Sequence, residues 1–313
     1  MANFDPGFIY HIAKLYYEVG LSQQEISEME HISRAQISRI LTAAKKQNIV
    51  EINVIPPDFS NTADLTDSLK ECLGIDNVVI VPTELKKGAA DNDYLKELDD
   101  FCSNAAPYIY EYLQNASIVG VGWGKTTFKI ANFLSANNEN STHSDLLFIP
   151  LGGCDSGIYE YSFQVSPIIS LFSYKLSCKA FYLNLTHMSA VSEDMNPMDY
   201  KCYNRLTNYW KKMDTVIFSV GSAKDMGSAV SSHDAIGNFQ LQSYSADGKI
   251  MPISDPDVIS FNPTDLRKVK NSILVSIGER KVSAIYYACK LGYCKTLMTN
   301  KDTALSLLNY QDQ

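Results

Sequence analysis

Apolar positions recur at helical spacing in three short blocks across Phe8–Val54, each bounded by turn residues. Ile12, Leu15, Tyr16 and Val19 form one face of a first helix, and Gly20 suits its C-terminal turn because it enters the left-handed region without a Cβ penalty. Ser22-Gln23-Gln24-Glu25 reads as a capping box opening a short second helix, about 22–29. Ser33-Arg34-Ala35-Gln36 repeats the device and opens a third helix with Ile37, Ile40, Leu41 and Ala44 facing inward. Two boxes around a four-residue turn predict a helix-turn-helix. The alternation over Ile49–Ile55 predicts a half-buried strand that would serve as a wing, and Pro56–Asn61 breaks all periodicity as a linker does. The expected organisation is a head over 1–55, a linker over 56–61 and a larger domain over 62–313.

In that larger domain, short apolar runs alternate with helical patterns. Asn77–Val81, Ser117–Gly122, Asp145–Leu151, Lys179–Leu183, Thr215–Gly221, Ser272–Ile277 and Thr296–Thr299 read as strands, many apolar on both faces. Leu95–Leu113, Ala284–Leu291 and Asp302–Leu308 read as helices. Such alternation predicts a doubly wound α/β domain on a mostly parallel sheet, with ligands bound beyond the carboxyl ends of the strands.

Four loops at those ends carry candidate chemistry. The first, Val119–Thr127, is not a nucleotide P-loop, because Gly-x-x-x-x-Gly-Lys-Thr requires glycine where Val119 stands. Gly-x-Gly-x-x-Gly fails too, its third glycine falling on Lys125. What survives is a strand, a turn with Gly122 and Gly124, and a helix N-terminus with Lys125 and Thr126, where free amides and the helix dipole attract an anion. Gly152 and Gly153 form the second loop, Gly221 and Ser222 the third. The fourth, Ser276–Lys281, contains Gly278 and sets Arg280 and Lys281 in the first turn of a helix, where cations oppose the dipole unless an anion sits among them. Each loop alone is ordinary turn chemistry; together they point to a phosphate-bearing ligand.

Composition narrows the classes. Hydrophobic residues make up 45% and charged ones 20% of 313 residues, an ordinary globular mixture. No apolar run is long enough to span a membrane and no secretory signal is evident, so a cytoplasmic location is expected. The seven cysteines, 72, 102, 154, 178, 202, 289 and 294, form no Cys-x-x-Cys pair and have no nearby histidine at ligand spacing. Reduced thiols, no metal and no cofactor follow. His187 and His233 are the conceivable general bases, yet neither has a carboxylate or nucleophile at recognisable spacing, and no catalytic residue is assigned.

The net charge of −8 disfavours indiscriminate binding to polyanions. Residues 1–55 hold five Lys/Arg (14, 34, 39, 45, 46) and six Asp/Glu (5, 18, 25, 28, 30, 51), so the excess lies elsewhere. Only clustering on the third helix supplies a positive footprint, with Arg34, Gln36 and Arg39 as candidate base readers. Ser33, Ser38, Lys45 and Lys46 are candidate phosphate contacts, and Gln23 of the second helix is a further DNA-binding candidate. The bland alternative is a three-helix unit whose third helix is coincidentally basic.

Ile12–Ile26, Ile32–Leu41 and Ile49–Ile52 together resemble the DNA-binding head of SorC/DeoR-type sugar-binding transcriptional regulators. The resemblance continues through Gly120–Thr126, Leu151–Gly153, Val220–Ser222, Ala235–Asn238, Ala246–Lys249 and Gly278–Ile285. It implies a fold related to sugar-phosphate isomerases and used as a sensor. It further implies that the Thr126 loop, Gly152-Gly153 and Lys281 hold a phosphate while Gln164 and Asn238 meet sugar hydroxyls. Several positions depart from the family. Glu30-His31 replaces the usual Leu-Gly of the turn, placing a charge at a semi-buried site and a Cβ where φ is often positive. Asn238 stands for a common Asp, Leu151 for a lysine able to form a Schiff base in some members, and Ile277 for a glycine, a change expected to narrow the site.

The leading expectation is a transcription factor, a homodimer or homotetramer, whose binding to double-stranded operator DNA is modulated by a small phosphorylated sugar held non-covalently. A sugar-phosphate isomerase or deaminase with an accessory head is the rival. A head that has lost DNA binding is a third possibility, raised by Glu30 and the low local charge.

Overall fold

The structure is a computed structural model that describes residues 4–47, 49–50, 63–83, 91–134, 145–153, 161–183, 185, 195–223, 234–240, 242–252 and 259–310. The expected wing beyond Val50, the linker, Cys154, His187 and His233 lie outside the described residues. The chain divides into two compact units, Met1–Pro57 and Asp58–Gln313.

The first unit contains α1 (Pro6–Tyr17), α2 (Gln23–Met29) and α3 (Arg34–Lys46). Both capping boxes form. Ser22 Oγ accepts from Glu25 N at 3.2 Å and Ser22 N donates to Glu25 Oε2 at 2.8 Å. Ser33 Oγ accepts from Gln36 N at 3.3 Å and Ser33 N donates to Gln36 Oε1 at 3.0 Å. Each box satisfies amides that a helix start leaves without intrahelical partners. Ile9, Ile12, Ala13, Ile26, Ile37, Ile40, Leu41 and Ala44 make the core. Val19 is a correction to the expected inward face: α1 ends at Tyr17, and Val19 is 58% exposed in the turn that follows. Gly20 takes φ +81°, the left-handed value its position required.

In the second unit the strands are β1 (Asn77–Ile80), β2 (Ile118–Val121), β3 (Leu147–Pro150), β4 (Lys179–Ala180), β5 (Thr215–Phe218) and β6 (Gly221–Ser222). They continue with β7 (Gly237–Phe239), β8 (Gln242–Tyr244), β9 (Ile250–Pro252), β10 (Asn271–Val275) and β11 (Thr296–Thr299). Seven of them form a parallel sheet in the order β1-β11-β10-β5-β2-β3-β4. The helices are α4 (Ala63–Leu73), α5 (Asp91–Leu113), α6 (Lys125–Phe133), α7 (Val165–Leu176), α8 (Pro197–Trp210), α9 (Val282–Lys290) and α10 (Lys301–Leu308).

Both faces of the sheet are covered, which is why its strands read as continuous apolar runs. Val216, Phe218 and Leu274 pack with Leu69 of α4, Leu206 of α8, Ile285 of α9 and Leu307 of α10. Their neighbours Ile217, Ile273 and Val275 point the other way, into a cluster with Phe101 of α5, Ile130 of α6 and Phe172 of α7. A second, antiparallel sheet, β6-β7-β8-β9, was not expected from the sequence. Its strands of two or three residues are too short to show a period. Phe239 and Tyr244 anchor it to the first cluster, and Tyr244 OH donates to Ala284 O at 2.8 Å.

Candidate functional site

The connection leaving β2 leads to β3 on one side, whereas the connection leaving β5 leads to β10 on the other. The strand order therefore reverses between β2 and β5, and the crevice beyond their carboxyl ends is where such a sheet receives ligands. A cavity of about 330 Å³ lies there, bordered by Trp123–Thr126 from the loop after β2 and by Ser219–Gly221 from the loop after β5. Tyr94, Leu98, Phe163, Asn238, Gln240 and Lys281 complete the wall.

The first loop disposes of its amides in sequence. Gly122 N donates to Ile217 O at 3.0 Å and Gly124 N to Phe163 O at 2.8 Å. Trp123 N, between them, and the indole Nε1 of Trp123 stand 2.9 and 3.3 Å from the end of the Gln240 side-chain amide, which accepts from both when its oxygen is turned towards them. Gly124 then caps α6 at φ +120° without any side chain to offer the helix. The amides of Lys125 and Thr126, residues of the cavity wall, belong to the first turn of α6, where they have no intrahelical acceptor and the helix dipole is positive. Lys125 Nζ stands 5.7 Å from the Phe163 ring centre, and Lys281 lines the same cavity. Ser219 Oγ, also at the wall, is buried without a hydrogen-bond partner among the described residues.

Of the expected effector contacts, Gly124, Lys125, Thr126, Gly221, Asn238 and Lys281 line the cavity. Gly122, Gly152, Ser222 and Gly278 stand behind it. A Cβ on Gly122 would lie 2.8 Å from the Gln240 amide, one on Gly152 3.5 Å from it, and one on Gly278 3.2 Å from Tyr94. Ser222 O accepts from Asn238 Nδ2 at 3.3 Å, which engages one of the two N–H groups of that amide. Gly153 N donates to Ile259 O at 3.0 Å. Gln164 is buried at the N-cap of α7 and does not border the cavity, whereas its neighbour Phe163 does. The expected narrowing by Ile277 is corrected as well, since Ile277 is fully buried in the cluster with Ile217 and Val275. Arg280 is exposed, and Lys281 follows it at the end of a short 3-10 turn and becomes the N-cap of α9. Leu151 is fully buried, its side chain against Gly120.

Tyr94, Trp123, Phe163 and Gln240 were not singled out as ligand contacts from the sequence. Trp123 stands within the glycine turn of the first loop; for Gln240 no local signal exists. Cys102 lies under the anion loop, its Sγ 3.8 Å from Thr126 O, and burial pushes its thiol up to about 12.

In the first unit, Arg34, Gln36, Ser38, Arg39, Lys45 and Lys46 are exposed on α3, and Gln23 is half-buried at the start of α2. Ser33 and Gln36 are engaged with each other in the capping box. Lys45 Nζ stands 5.9 Å from the Tyr17 ring centre. Glu30 is partly buried, as expected, and its carboxylate meets His11; His31 has φ +55°.

Among the described residues no helix is long and apolar enough to cross a membrane. Residues 57–309 match the sugar-binding domain family. The chain is 29% identical over 314 residues to the deoxyribonucleoside regulator of Bacillus subtilis (strain 168), covering 95% of this chain and 96% of that one. It is 24% identical over 324 residues to the sorbitol operon regulator of Klebsiella pneumoniae, covering 97% and 98%. The crystal structure of the full-length sorbitol operon regulator SorC from Klebsiella pneumoniae superimposes with a TM-score of 0.71 at 23% identity, covering 98% of this chain and 100% of that one. The relatives are named as transcriptional regulators, and this chain belongs with them to the SorC/DeoR family of sugar-binding transcriptional regulators.

Proposed function

We infer that the chain is a ligand-responsive regulator that binds operator DNA through its head and a phosphorylated sugar through its larger domain. The carrying observation is the first turn of α6, whose amides at Lys125 and Thr126 have no intrahelical acceptor, set with the Lys125 and Lys281 side chains in the wall of a cavity at the switch point of the sheet. A phosphate dianion matches that donor set. Asn238, with its Nδ2 given to Ser222 O, presents Oδ1 to a sugar hydroxyl. The burial of Leu151 against Gly120 supports non-covalent capture at that position.

In the head, the exposure of Arg34 and Arg39 supports base reading by α3, with Lys45 and Lys46 on phosphates. Gln36 keeps its amide nitrogen for a base while its oxygen completes the capping box. The head over 1–55, linker over 56–61 and effector domain over 62–313 form a cytoplasmic homodimer or homotetramer in this reading, so that two α3 helices meet successive major grooves. The ligand shifts the population between DNA-competent and incompetent arrangements.

A thermal-shift series against pentose and hexose phosphates tests the cavity, since a ligand of the native state raises apparent stability with its concentration. Gel shifts with the gene's own upstream region test the head, and Arg39→Ala should weaken specific binding by about 1–3 kcal/mol. Unchanged operator affinity in that variant, or turnover of any sugar phosphate by the pure protein, overturns the reading.

A further inference from the structure

Gln240 stands in the turn between β7 and β8 with φ +48°, in the left-handed region that non-glycine residues seldom adopt, and it is 8% exposed. Such a conformation persists where the surroundings fix it. Here Ser260 Oγ donates to Gln240 O at 3.0 Å, and the side chain reaches the loop after β2, where its amide, with the oxygen turned inward, is placed to accept from both N–H groups of Trp123. No Cβ at Gly122 could share the space taken by the amide. The hairpin that holds Gln240 also carries Asn238, two residues earlier on β7.

We propose that Gln240 is a positioning residue for the effector cavity: it locks Trp123 in the wall, sets the register of the amides that follow, and mechanically joins the Asn238 hairpin to the anion loop. Of the three loop amides preceding α6, two are held by backbone carbonyls of Ile217 and Phe163, and the middle one faces the Gln240 side-chain amide. Shortening the side chain withdraws that acceptor from both N–H groups of Trp123 and loosens the link between the loop and the hairpin. The ligand part of this inference rests on the cavity reading above; the clamp itself does not.

The sequence holds two tryptophans, so Trp210→Phe leaves Trp123 as the sole reporter. Trp210 packs against Phe261 and donates to Pro150 O, away from the cavity wall, and phenylalanine keeps the ring contact. In that background, Gln240→Asn shortens the side chain by one methylene while retaining a residue that tolerates the left-handed turn. Gln240→Glu keeps an acceptor within reach but brings negative charge beside the anion site. Trp123 emission and anisotropy are recorded without ligand, and inorganic phosphate and ribose 5-phosphate are then titrated by calorimetry.

Gln240→Asn is expected to shift Trp123 emission to longer wavelength, lower its anisotropy and weaken both probes by about tenfold or more. Gln240→Glu is expected to retain the parent emission and still weaken both probes, a split that a merely structural role would not produce. Parent-like emission in Gln240→Asn overturns the clamp. Altered emission with probe affinities within about twofold of the parent overturns the positioning role. If neither probe binds the parent, the cavity reading fails and takes the ligand half of the proposal with it, while the ligand-free spectra still judge the clamp.

Discussion

His11 Nε2 meets Glu30 Oε1 at 2.9 Å, joining α1 to the turn between α2 and α3. The turn carries a charge and a non-glycine residue, His31, at φ +55°, and histidine is among the side chains that enter that region most readily. With the Glu30 and His11 side chains 20% and 51% exposed, the pair is partly screened, and a double-mutant cycle with alanine should give a coupling of about 0.3–1 kcal/mol. Hydrogen exchange of the α3 amides in the intact chain reads it, and zero coupling would show that the pair contributes nothing. His31→Gly should protect the same amides by about 0.5 kcal/mol, because relief of left-handed strain exceeds the entropy that glycine adds.

Asn238→Asp replaces the donor that Ser222 O receives with a carboxylate oxygen 3.3 Å from that carbonyl. The hairpin should lose about 1–3 kcal/mol, and sugar-phosphate affinity should fall with it. Gly221→Ala reaches the same side chain from the opposite strand, since its Cβ would lie 2.5 Å from Asn238 Nδ2. Calorimetry and thermal melting of both variants check this, and parent-like values in both would remove Asn238 from the site.

Features written locally were legible in the sequence. The capping boxes at Ser22 and Ser33 need only residues three apart, and the strands of the large sheet announce themselves because both faces are buried. The glycines after β2 and β5 pointed to the end of the sheet where the cavity lies. Gln240 was not legible, because its role depends on a positive φ in a turn and on a partner brought close only by the crossover connections. Gln164 shows the converse: it adjoins Phe163 in sequence, but at the N-cap of α7 it is buried while Phe163 borders the cavity.

Gly237 lies under Tyr244, so closely that an added Cβ would stand 2.3 Å from Tyr244 Oη and 2.8 Å from Ala284 Cβ. Gly237→Ala must therefore push the antiparallel sheet off α9. Stability should fall by about 3 kcal/mol, whereas Tyr244→Phe, which removes only the bond to Ala284 O, should cost about 1 kcal/mol. Urea unfolding of both variants measures the difference, and equal losses would contradict the packing argument.

Burial holds the Cys102 thiol up at about 12, with Lys129 opposing only in part. At pH 8 it should stay unmodified by iodoacetamide while ordinary thiols, titrating near 8.5, react. Peptide mapping by mass spectrometry decides, and rapid labelling of Cys102 in the folded chain would mean that the helix pair α5 and α6 opens readily.

The Ser22 backbone N–H, and after it the Ser22 hydroxyl, hold the Glu25 carboxyl below its ordinary value. A carboxylate whose folded value is lowered stabilises the fold above its unfolded value, about 4.3, and loses that contribution as pH falls through the folded value. The start of α2 should therefore fray on acidification below about pH 4. Glu25→Gln keeps a neutral acceptor for Ser22 N and should make protection of the Ser22 amide flat over the same range. Ser22→Ala removes only the hydroxyl and should raise the Glu25 midpoint part of the way towards 4.3. Nuclear magnetic resonance titration of the Glu25 side chain measures the midpoint directly, and a value at or above 4.3 in the parent would remove the capping box as the cause of acid sensitivity in the head.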